Sequence, residues 1–395
     1  MKSSSAPVSS LPSGKGSVVA FAIEELTVGG AESMVVAMAN EFVNLGWQVH
    51  VVCLRDAGVL AAKLNEQIQV HILDKKPGFD IALALRLNRC IRKIGPDVVN
   101  SHLWVGNTWT RVALFAARLP IVVTEHSRDS WKPPYYRWID RILSLRTAAL
   151  ITVSGDTADF YQHEIGLRPS LITVVNNGVD TLRYAQGDGR ALRKEWLAYG
   201  NQSTEIPADK QIIIGTVGRI VEAKNHRRLI DVMSILKSDP SLAEHDLRLV
   251  MVGDGEDRPG IEQYVRDKGL QEWVVFTGSR QDIPDVLAAF DLFTLSSDRE
   301  GHPLTALEAQ AAGTPVVLTD AGGAREAIAR DAANCGGVLV EKSTNAMAAA
   351  IREMILHPEL RQERAVFARE FALQHFDQKQ MIKRYEDIFL AAMGS

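Results

Sequence analysis

Short apolar runs alternate with helical stretches through most of this 395-residue chain, and no other feature narrows its fold as much. Val18-Val19-Ala20-Phe21-Ala22-Ile23 has the length and character of a buried strand. A glycine loop follows, Val28-Gly29-Gly30-Ala31-Glu32, and then Met34, Val35, Met38, Ala39 and Phe42 recur at helical spacing before Gly46. Val49 to Leu54 is the next strand. Strand, loop, helix, strand is the opening of a parallel α/β unit. The pattern repeats, with strands expected at 68–73, 97–101, 120–124, 148–153 and 171–175. It weakens between Thr181 and Lys210, where Gly187, Gly189, Gly200 and Pro207 punctuate it. It then restarts, with strands expected at 211–217, 247–252, 274–276, 291–295, 315–319 and 337–340. The expected organisation is a Ser-, Pro- and Gly-rich disordered tail over 1–16, one α/β domain over 17–182, a linker or hinge over 183–209, a second α/β domain over 210–374, and a final helix over 375–395.

Composition excludes several classes. With 46% hydrophobic and 23% charged residues the chain is of ordinary globular type, long enough for two domains. A net charge of -4 argues against nonspecific nucleic-acid binding, which draws on basic surface. Cys53, Cys90 and Cys335 form neither a zinc spacing nor a disulfide framework, which suits a reducing compartment. No apolar run reaches the ~18 residues of a spanning helix, and the tail lacks a signal-peptide core. A cytoplasmic protein is expected.

The most informative stretch is Glu300 to Ala309, E-G-H-P-L-T-A-L-E-A, between an apolar strand and a helix that starts near Pro303. Glu300 falls in the loop at the helix's positive end, and Glu308, five residues past Pro303, lies roughly 7.5 Å further along the axis from that proline at 1.5 Å per residue. Two carboxylates around a helix N-terminus suit a ligand with hydroxyls at both ends and an anionic middle, the layout of a nucleotide-sugar. A first-turn charge and a solvated side chain would leave the same trace. Arg219 and Lys224 share one loop at the carboxyl end of the strand over 211–217, where two fixed cations can grip a diphosphate; loop cations are also common without such a role. His126 follows a strand end, where open α/β sheets place ligand contacts, and His102 closes another strand. Gly29 and Gly30 would let backbone N–H groups approach a phosphate, although a tight turn explains a lone Gly-Gly equally well. The fingerprint G-x-G-x-x-G is absent, which disfavours ordinary NAD binding. Trp131 to Arg146 mixes Lys132, Arg137, Arg141 and Arg146 with Trp131, Tyr135, Tyr136, Trp138, Ile142 and Leu143. It reads either as a helix lying on an anionic membrane or as a core-packing helix with a solvated basic edge, and the second reading is favoured.

Taken together, Gly29-Gly30-Ala31-Glu32, Asn177-Gly178-Val179-Asp180, Gly218-Arg219 with Lys224, Val252-Gly253-Asp254-Gly255, and Glu300-Gly301-His302-Pro303-Leu304 with Glu308-Ala309 resemble the retaining GT-B glycosyltransferases of the glycosyl transferases group 1 family. They come in the family's order and span nearly the whole chain; His302 replaces the family's usual aromatic. The resemblance implies two Rossmann-like parallel α/β domains, a final crossover helix packing back on the first, the acceptor mainly on the first and the donor mainly on the second. It also implies roles. Arg219 and Lys224 would neutralise the departing diphosphate, with amides from Gly29 and Gly30. Glu308 would bind the ribose. Glu300, with the backbone of Gly301, His302, Pro303, Leu304 and Thr305, would hold the sugar, Gly253 would line the donor site, and His126 would bond the sugar near the reacting carbon. The donor would be a UDP- or GDP-sugar, with no separate cofactor. The acceptor would be a saccharide, lipid-linked or small-molecule hydroxyl of the kind used in polysaccharide biosynthesis. Peripheral membrane contact through Trp131 to Arg146 belongs to the membrane reading of that segment, the alternative to core packing. No Asp-x-Asp motif occurs, so a metal clamp is not required; transfer with retention is what the resemblance implies. A non-hydrolysing UDP-sugar epimerase and a non-catalytic nucleotide-sugar binder are the competing classes.

Overall fold

A computed structural model describes residues 14–128, 133–199, 206–328 and 336–394. Most of the expected tail, Trp131 and Lys132, and part of the hinge lie outside the described residues. The chain divides into two compact units. The first takes Met1–Thr152, Ala158–Val175 and Met381–Ser395; the second takes Val153–Thr157 and Asn176–Gln380.

In the first unit the strands are β1 (Val18–Glu25), β2 (Gln48–Asp56), β3 (Gln69–Ile72), β4 (Val98–His102), β5 (Ile121–Glu125), β6 (Ala149–Thr152) and β7 (Ile172–Val174). They pair in parallel in the order β3-β2-β1-β4-β5-β6-β7. Val19 to Ile23 of β1 lie in register with Val49 to Cys53 of β2, and Val19 to Ala22 with Val98 to Ser101 of β4. All five residues from Val19 to Ile23 are buried, as a central parallel strand covered on both faces requires. Helices α1 (Gly30–Asn44), α2 (Ile81–Ile94), α3 (Leu103–Ala113) and α4 (Tyr135–Leu143) belong to this unit. Phe21 and Phe42 pack with Phe389 from the chain's last helix, and Trp47 Nε1 donates to Glu386 of that helix at 3.1 Å.

The favoured reading of the basic aromatic segment, a core-packing helix with a solvated basic edge, holds only in part: Leu143 is buried and Arg141 exposed, but much of the apolar side faces out as well. The side of α4 that packs inward carries Asp140 and Leu143, while Tyr135, Trp138 and Ile142 point outward. Asp140 accepts from Arg111 of α3 at 2.8 Å and from Trp104 at 3.2 Å. That buried ion pair, with side chains 4% and 6% exposed, sets the helix's rotation.

The second unit's strands are β8 (Gln211–Val217), β9 (Asp246–Val252), β10 (Val274–Gly278), β11 (Leu292–Leu295), β12 (Val316–Thr319) and β13 (Gly337–Val340), all parallel in the order β10-β9-β8-β11-β12-β13. Apolar clusters cover both faces of the sheet. After α5 (Gly155–Asp159) come α6 (Thr181–Tyr184), α7 (Arg190–Leu197), α8 (His226–Ser238), α9 (Arg258–Asp267), α10 (Ile283–Ala288), α11 (Leu304–Ala311), α12 (Thr344–Leu356), α13 (Pro358–His375) and α14 (Gln378–Met393).

The expected linker over 183–209 is in part packed structure. Trp196 of α7 is buried against Phe290 at 5.7 Å, and Arg193 pairs with Asp291 at 2.6 Å. A Cβ on Gly187 or Gly189 would collide with the backbone of Pro284 or Ala289. These glycines mark close approach of two backbones, not flexibility.

Candidate active site

In both sheets the strand order reverses beside the first strand of the unit, between β1 and β4 and between β8 and β11. Loops leaving neighbouring strands in opposite directions open a crevice at such a point, and ligands of parallel α/β sheets bind there.

In the second unit the two loops at this point are tied together. Lys224, in the loop after β8, places Nζ 2.6 Å from Oε1 of Glu300, in the loop after β11. The lysine side chain is 22% exposed and the glutamate 8%. Ser297 Oγ donates to the same Glu300 oxygen at 2.5 Å. A second set of bonds fixes the loops behind the pair. Asn225 Nδ2 donates to Asp298 at 3.0 Å, Arg228 pairs with Asp298 at 2.8 Å, and Ser296 Oγ donates to the carbonyl of Lys224 at 3.0 Å. Asn225, in left-handed conformation at φ 45°, caps α8 by accepting from the Arg228 N–H. The sequence reading gives Lys224 and Glu300 separate ligand-binding tasks. In the structure they are each other's partners, so Lys224 is not a free cation.

Arg219 differs. It is exposed, and its guanidinium has no ion-pair partner among the described residues. Backbone bonds to the loop after β9 hold its segment: Gly218 N–H donates to Val252 O at 3.0 Å and Ile220 N–H to Asp254 O at 2.9 Å. Gly253, at φ 136°, lets these loops meet, because a Cβ there would strike the carbonyl oxygen of Gly218. Gly253 thus supports the Arg219 loop from beneath.

Helix α11 begins at Leu304 with Pro303 as its N-cap residue. Gly301, His302 and Pro303 are buried, and Leu304 and Thr305 half-buried in the first turn. The Gly323 N–H donates to the Glu300 carbonyl at 3.1 Å, and Asn177 Nδ2 to the His302 carbonyl at 2.8 Å, which fixes the loop backbone. The His302 ring turns inward, edge-on to Phe376 at 5.6 Å, and burial lowers its pKa to about 4. Its side chain is neutral packing; what it offers a ligand is backbone. One turn further on, Glu308 Oε1 accepts from the Tyr184 hydroxyl at 2.6 Å. Burial raises the Glu308 pKa and the tyrosine bond opposes the rise; burial and the facing carboxylate push the Tyr184 phenol up. Sequence reasoning missed Tyr184 because it falls in the supposed linker. Its signal was Asp180, whose Oδ1 caps the short α6 through the Arg183 N–H at 3.1 Å and so presents Tyr184.

In the first unit Gly29 caps α1 in extended conformation and Gly30 is its exposed first residue. His126 follows β5 and stands 3.0 Å, Nε2 to Nδ1, from His102 at the end of β4. Burial lowers the His126 pKa to about 4, and burial with the facing His126 holds His102 well below its ordinary range. Both are neutral near pH 7, so one ring nitrogen donates and the other accepts. The Asn107 amide donates to the buried Glu125 at 2.8 Å close by. Leu103, directly after His102, has φ 61°, an uncommon conformation for a leucine.

Residues 28–183 match Glycosyltransferase Family 4 and residues 201–371 match Glycosyl transferases group 1. The putative glycosyltransferase EpsF of Bacillus subtilis is 30% identical over 59% of this chain and 60% of its own length. The N-acetyl-alpha-D-glucosaminyl L-malate synthase of Bacillus anthracis is 23% identical over 92% of this chain and 94% of its own. Among solved structures, Anabaena HepE in complex with UDP superposes with a TM-score of 0.78 at 22% identity, covering 94% of this chain and 98% of that one. The last likeness is one of fold, two Rossmann-like parallel-sheet domains of GT-B type.

Proposed function

Because the chain belongs to the GT-B glycosyltransferases of group 1, and so transfers a sugar from a nucleotide-sugar, we propose that it does so with retention of anomeric configuration, without a metal ion, onto a saccharide, lipid-linked or small-molecule hydroxyl. One observation supports this most: at the second sheet's reversal point the loop after β8 carries both Lys224, paired with Glu300, and the exposed Arg219, which has no ion-pair partner among the described residues. Arg219 takes the diphosphate first, as a planar fork needing no rearrangement. Lys224 then exchanges part of its bond to Glu300 for a phosphate oxygen. Glu300 is left to accept from the sugar's hydroxyls while Ser297 steadies it. Glu308 accepts from the ribose through the oxygen that Tyr184 does not occupy. UDP in the HepE complex favours uracil as the base. Gly29, Gly30 and His126 keep, within this proposal, the roles that the resemblance gives them.

The chemistry follows from charge. The bond from the anomeric carbon to the phosphate oxygen breaks, leaving positive charge on the sugar and added negative charge on the diphosphate. Fixed cations and N–H groups aimed at that oxygen stabilise it without reorganising. The acceptor hydroxyl attacks from the leaving-group side, forms the new carbon–oxygen bond and passes its proton to the phosphate.

The test is incubation with UDP- and GDP-sugars, with and without candidate acceptors, followed by NMR of the product anomer in EDTA and in magnesium. The proposal expects nucleoside diphosphate release that depends on acceptor, a product with the donor's configuration, and no effect of EDTA. Interconversion of donor sugars without acceptor would make the protein an epimerase. An inverted product would overturn retention, and EDTA loss restored by magnesium would overturn metal independence.

A further inference from the structure

Glu326 stands in the short 3-10 turn Gly322–Ala327 that follows β12. Its half-buried carboxylate accepts three hydrogen bonds and has no ion-pair partner among the described residues. Oε2 accepts from the Gly155 N–H at 2.9 Å and from Asn176 Nδ2 at 3.3 Å, and Oε1 accepts from the Asp156 N–H at 3.1 Å. All the donors are neutral, and both oxygens face N–H groups. A glutamine would supply one such oxygen and turn its own amide hydrogens on a donor at the other, so the position calls for a carboxylate.

What Glu326 holds is the backing of the Glu300 loop. Gly322 and Gly323 open the turn that carries it. The Gly323 N–H donates to the Glu300 carbonyl at 3.1 Å, and a Cβ on Gly323 would strike the carbonyl oxygen of Gly301. Gly322, at φ 62°, would bring a Cβ against the Glu300 carbonyl. The turn therefore lies directly against residues 300 and 301. A second arm runs through two asparagines. Asn176 Nδ2 also donates to the Val153 carbonyl at 3.0 Å, and the next residue, Asn177, donates to the His302 carbonyl at 2.8 Å. The bonds close a ring: Glu326 to Asn176, Asn177 to His302, and Glu300 to Gly323 in the turn of Glu326 itself. Burial lowers the His302 pKa while the Glu326 backbone and carboxylate oppose that fall, so Glu326 reaches His302 as well. The carbonyls of Glu300 and His302 are drawn into this ring. The N–H groups of Gly301, His302, Leu304 and Thr305 have no partner among the described residues, which suits them to the hydroxyls of a sugar. The groups that take the nucleotide in the function proposed above, Arg219, Lys224 and Glu308, are held outside the ring, by the loop after β9, by Ser296 and by Tyr184.

We propose that Glu326 is a positioning residue for sugar transfer. Through the Gly322–Gly323 turn and the two asparagines its carboxylate fixes the backbone of Glu300 to Pro303, the segment that meets the donor's sugar, and it touches neither sugar nor diphosphate itself. This role rests on the transfer reading above. The test pairs two measurements on the full chain, each made well below the variant's melting temperature. Calorimetric titration with UDP and with GDP reads the nucleotide end, and turnover of the UDP- or GDP-sugar that wild type uses reads the sugar end. Glu326→Gln should lower kcat/KM for the nucleotide-sugar by about ten- to a hundredfold, mostly in kcat, the scale of a misplaced reacting group. Its affinity for the nucleoside diphosphate should stay as in wild type. Asn177→Ala cuts the ring at one neutral bond and should show the same split at roughly two- to tenfold; it keeps the test open where Glu326→Gln does not fold. A glutamate that only stabilises the fold would, when replaced, lower the melting temperature and leave both readings as in wild type, which would overturn the proposal. Loss of nucleotide affinity and turnover together would overturn it too, by making Glu326 a support of the whole unit. Wild type that transfers sugar from no donor would overturn the transfer reading and this role with it. Equal kcat/KM for wild type and the variants would overturn this role alone.

Discussion

The two units place different chemistry at the same point of the same architecture. Beside β8 the crossing loops present charge: Arg219 unpaired, and Lys224 joined to Glu300. Beside β1 the loops present neutral donors and acceptors: the amides at Gly29 and Gly30, and two histidines that burial keeps unprotonated. A parallel sheet fixes where a site can be, and the loop residues fix what it can bind. Among the described residues, the loops at the second unit's reversal point carry Arg219 and Lys224, whereas residues 26–29 after β1 and the junction of β4 with α3 carry no lysine or arginine, and Arg128 lies two residues past His126.

The largest effect should come from breaking the charged pair. Lys224→Ala should lower kcat/KM by a hundred- to a thousand-fold, on the order seen when one preorganised transition-state contact is lost. It also strands the nearly buried Glu300 carboxylate, so the fold should weaken too. Lys224→Met with Glu300→Gln removes both charges; it should restore the melting temperature but not the rate. Recovery of both would reduce the pair to a structural one.

Acid should next strain both units in the same direction. His126 and His302 have folded pKa values of about 4 against an ordinary 6.5. The unfolded chain therefore takes up their protons first, and their contribution, complete above pH 6.5, is lost as pH falls toward 4. Each can cost on the order of 2–3 kcal/mol over that window. Denaturant midpoints from pH 7.5 to 4.5 measure the loss, and His302→Phe, which keeps an edge-on aromatic for Phe376, should flatten it.

Arg219→Ala separates charge from structure. The side chain is exposed and unpaired, so stability should change by less than about 0.5 kcal/mol. Turnover should still fall by about ten- to a hundredfold, the worth of a charged hydrogen bond. Unchanged turnover would leave the second unit without its diphosphate fork.

The smallest effect is expected at Tyr184. Tyr184→Phe removes the hydroxyl that holds Glu308 Oε1 and opposes the burial-driven rise of its pKa. Donor KM should rise by less than about tenfold with kcat kept, and the acidic limb of kcat/KM should move to higher pH. A KM rise without that movement would mean Tyr184 only fills space.

Much of this was legible in the sequence, and the omissions share a cause. Apolar runs marked the buried strands because a parallel sheet hides both faces. Glu300, Pro303 and Glu308 could be placed around a helix start because caps are local. The Lys224–Glu300 pair spans 76 residues and exists because β11, not a nearer strand in sequence, lies on the free side of β8. The rotation of α4 was misread for the same reason: amphipathicity reveals a stripe, but its direction was decided by Arg111, 29 residues before Asp140. Gly187 and Gly189 looked like a linker because close approach and flexibility leave the same letter.

The central claim is that the second unit's cationic loop receives the donor's diphosphate. Crystals soaked in a UDP-sugar test it directly. Phosphate oxygens should lie within hydrogen-bonding distance of Arg219 and Lys224, with Lys224 shared between phosphate and Glu300. Phosphates bound away from both cations, with the Lys224–Glu300 pair undisturbed, would contradict it.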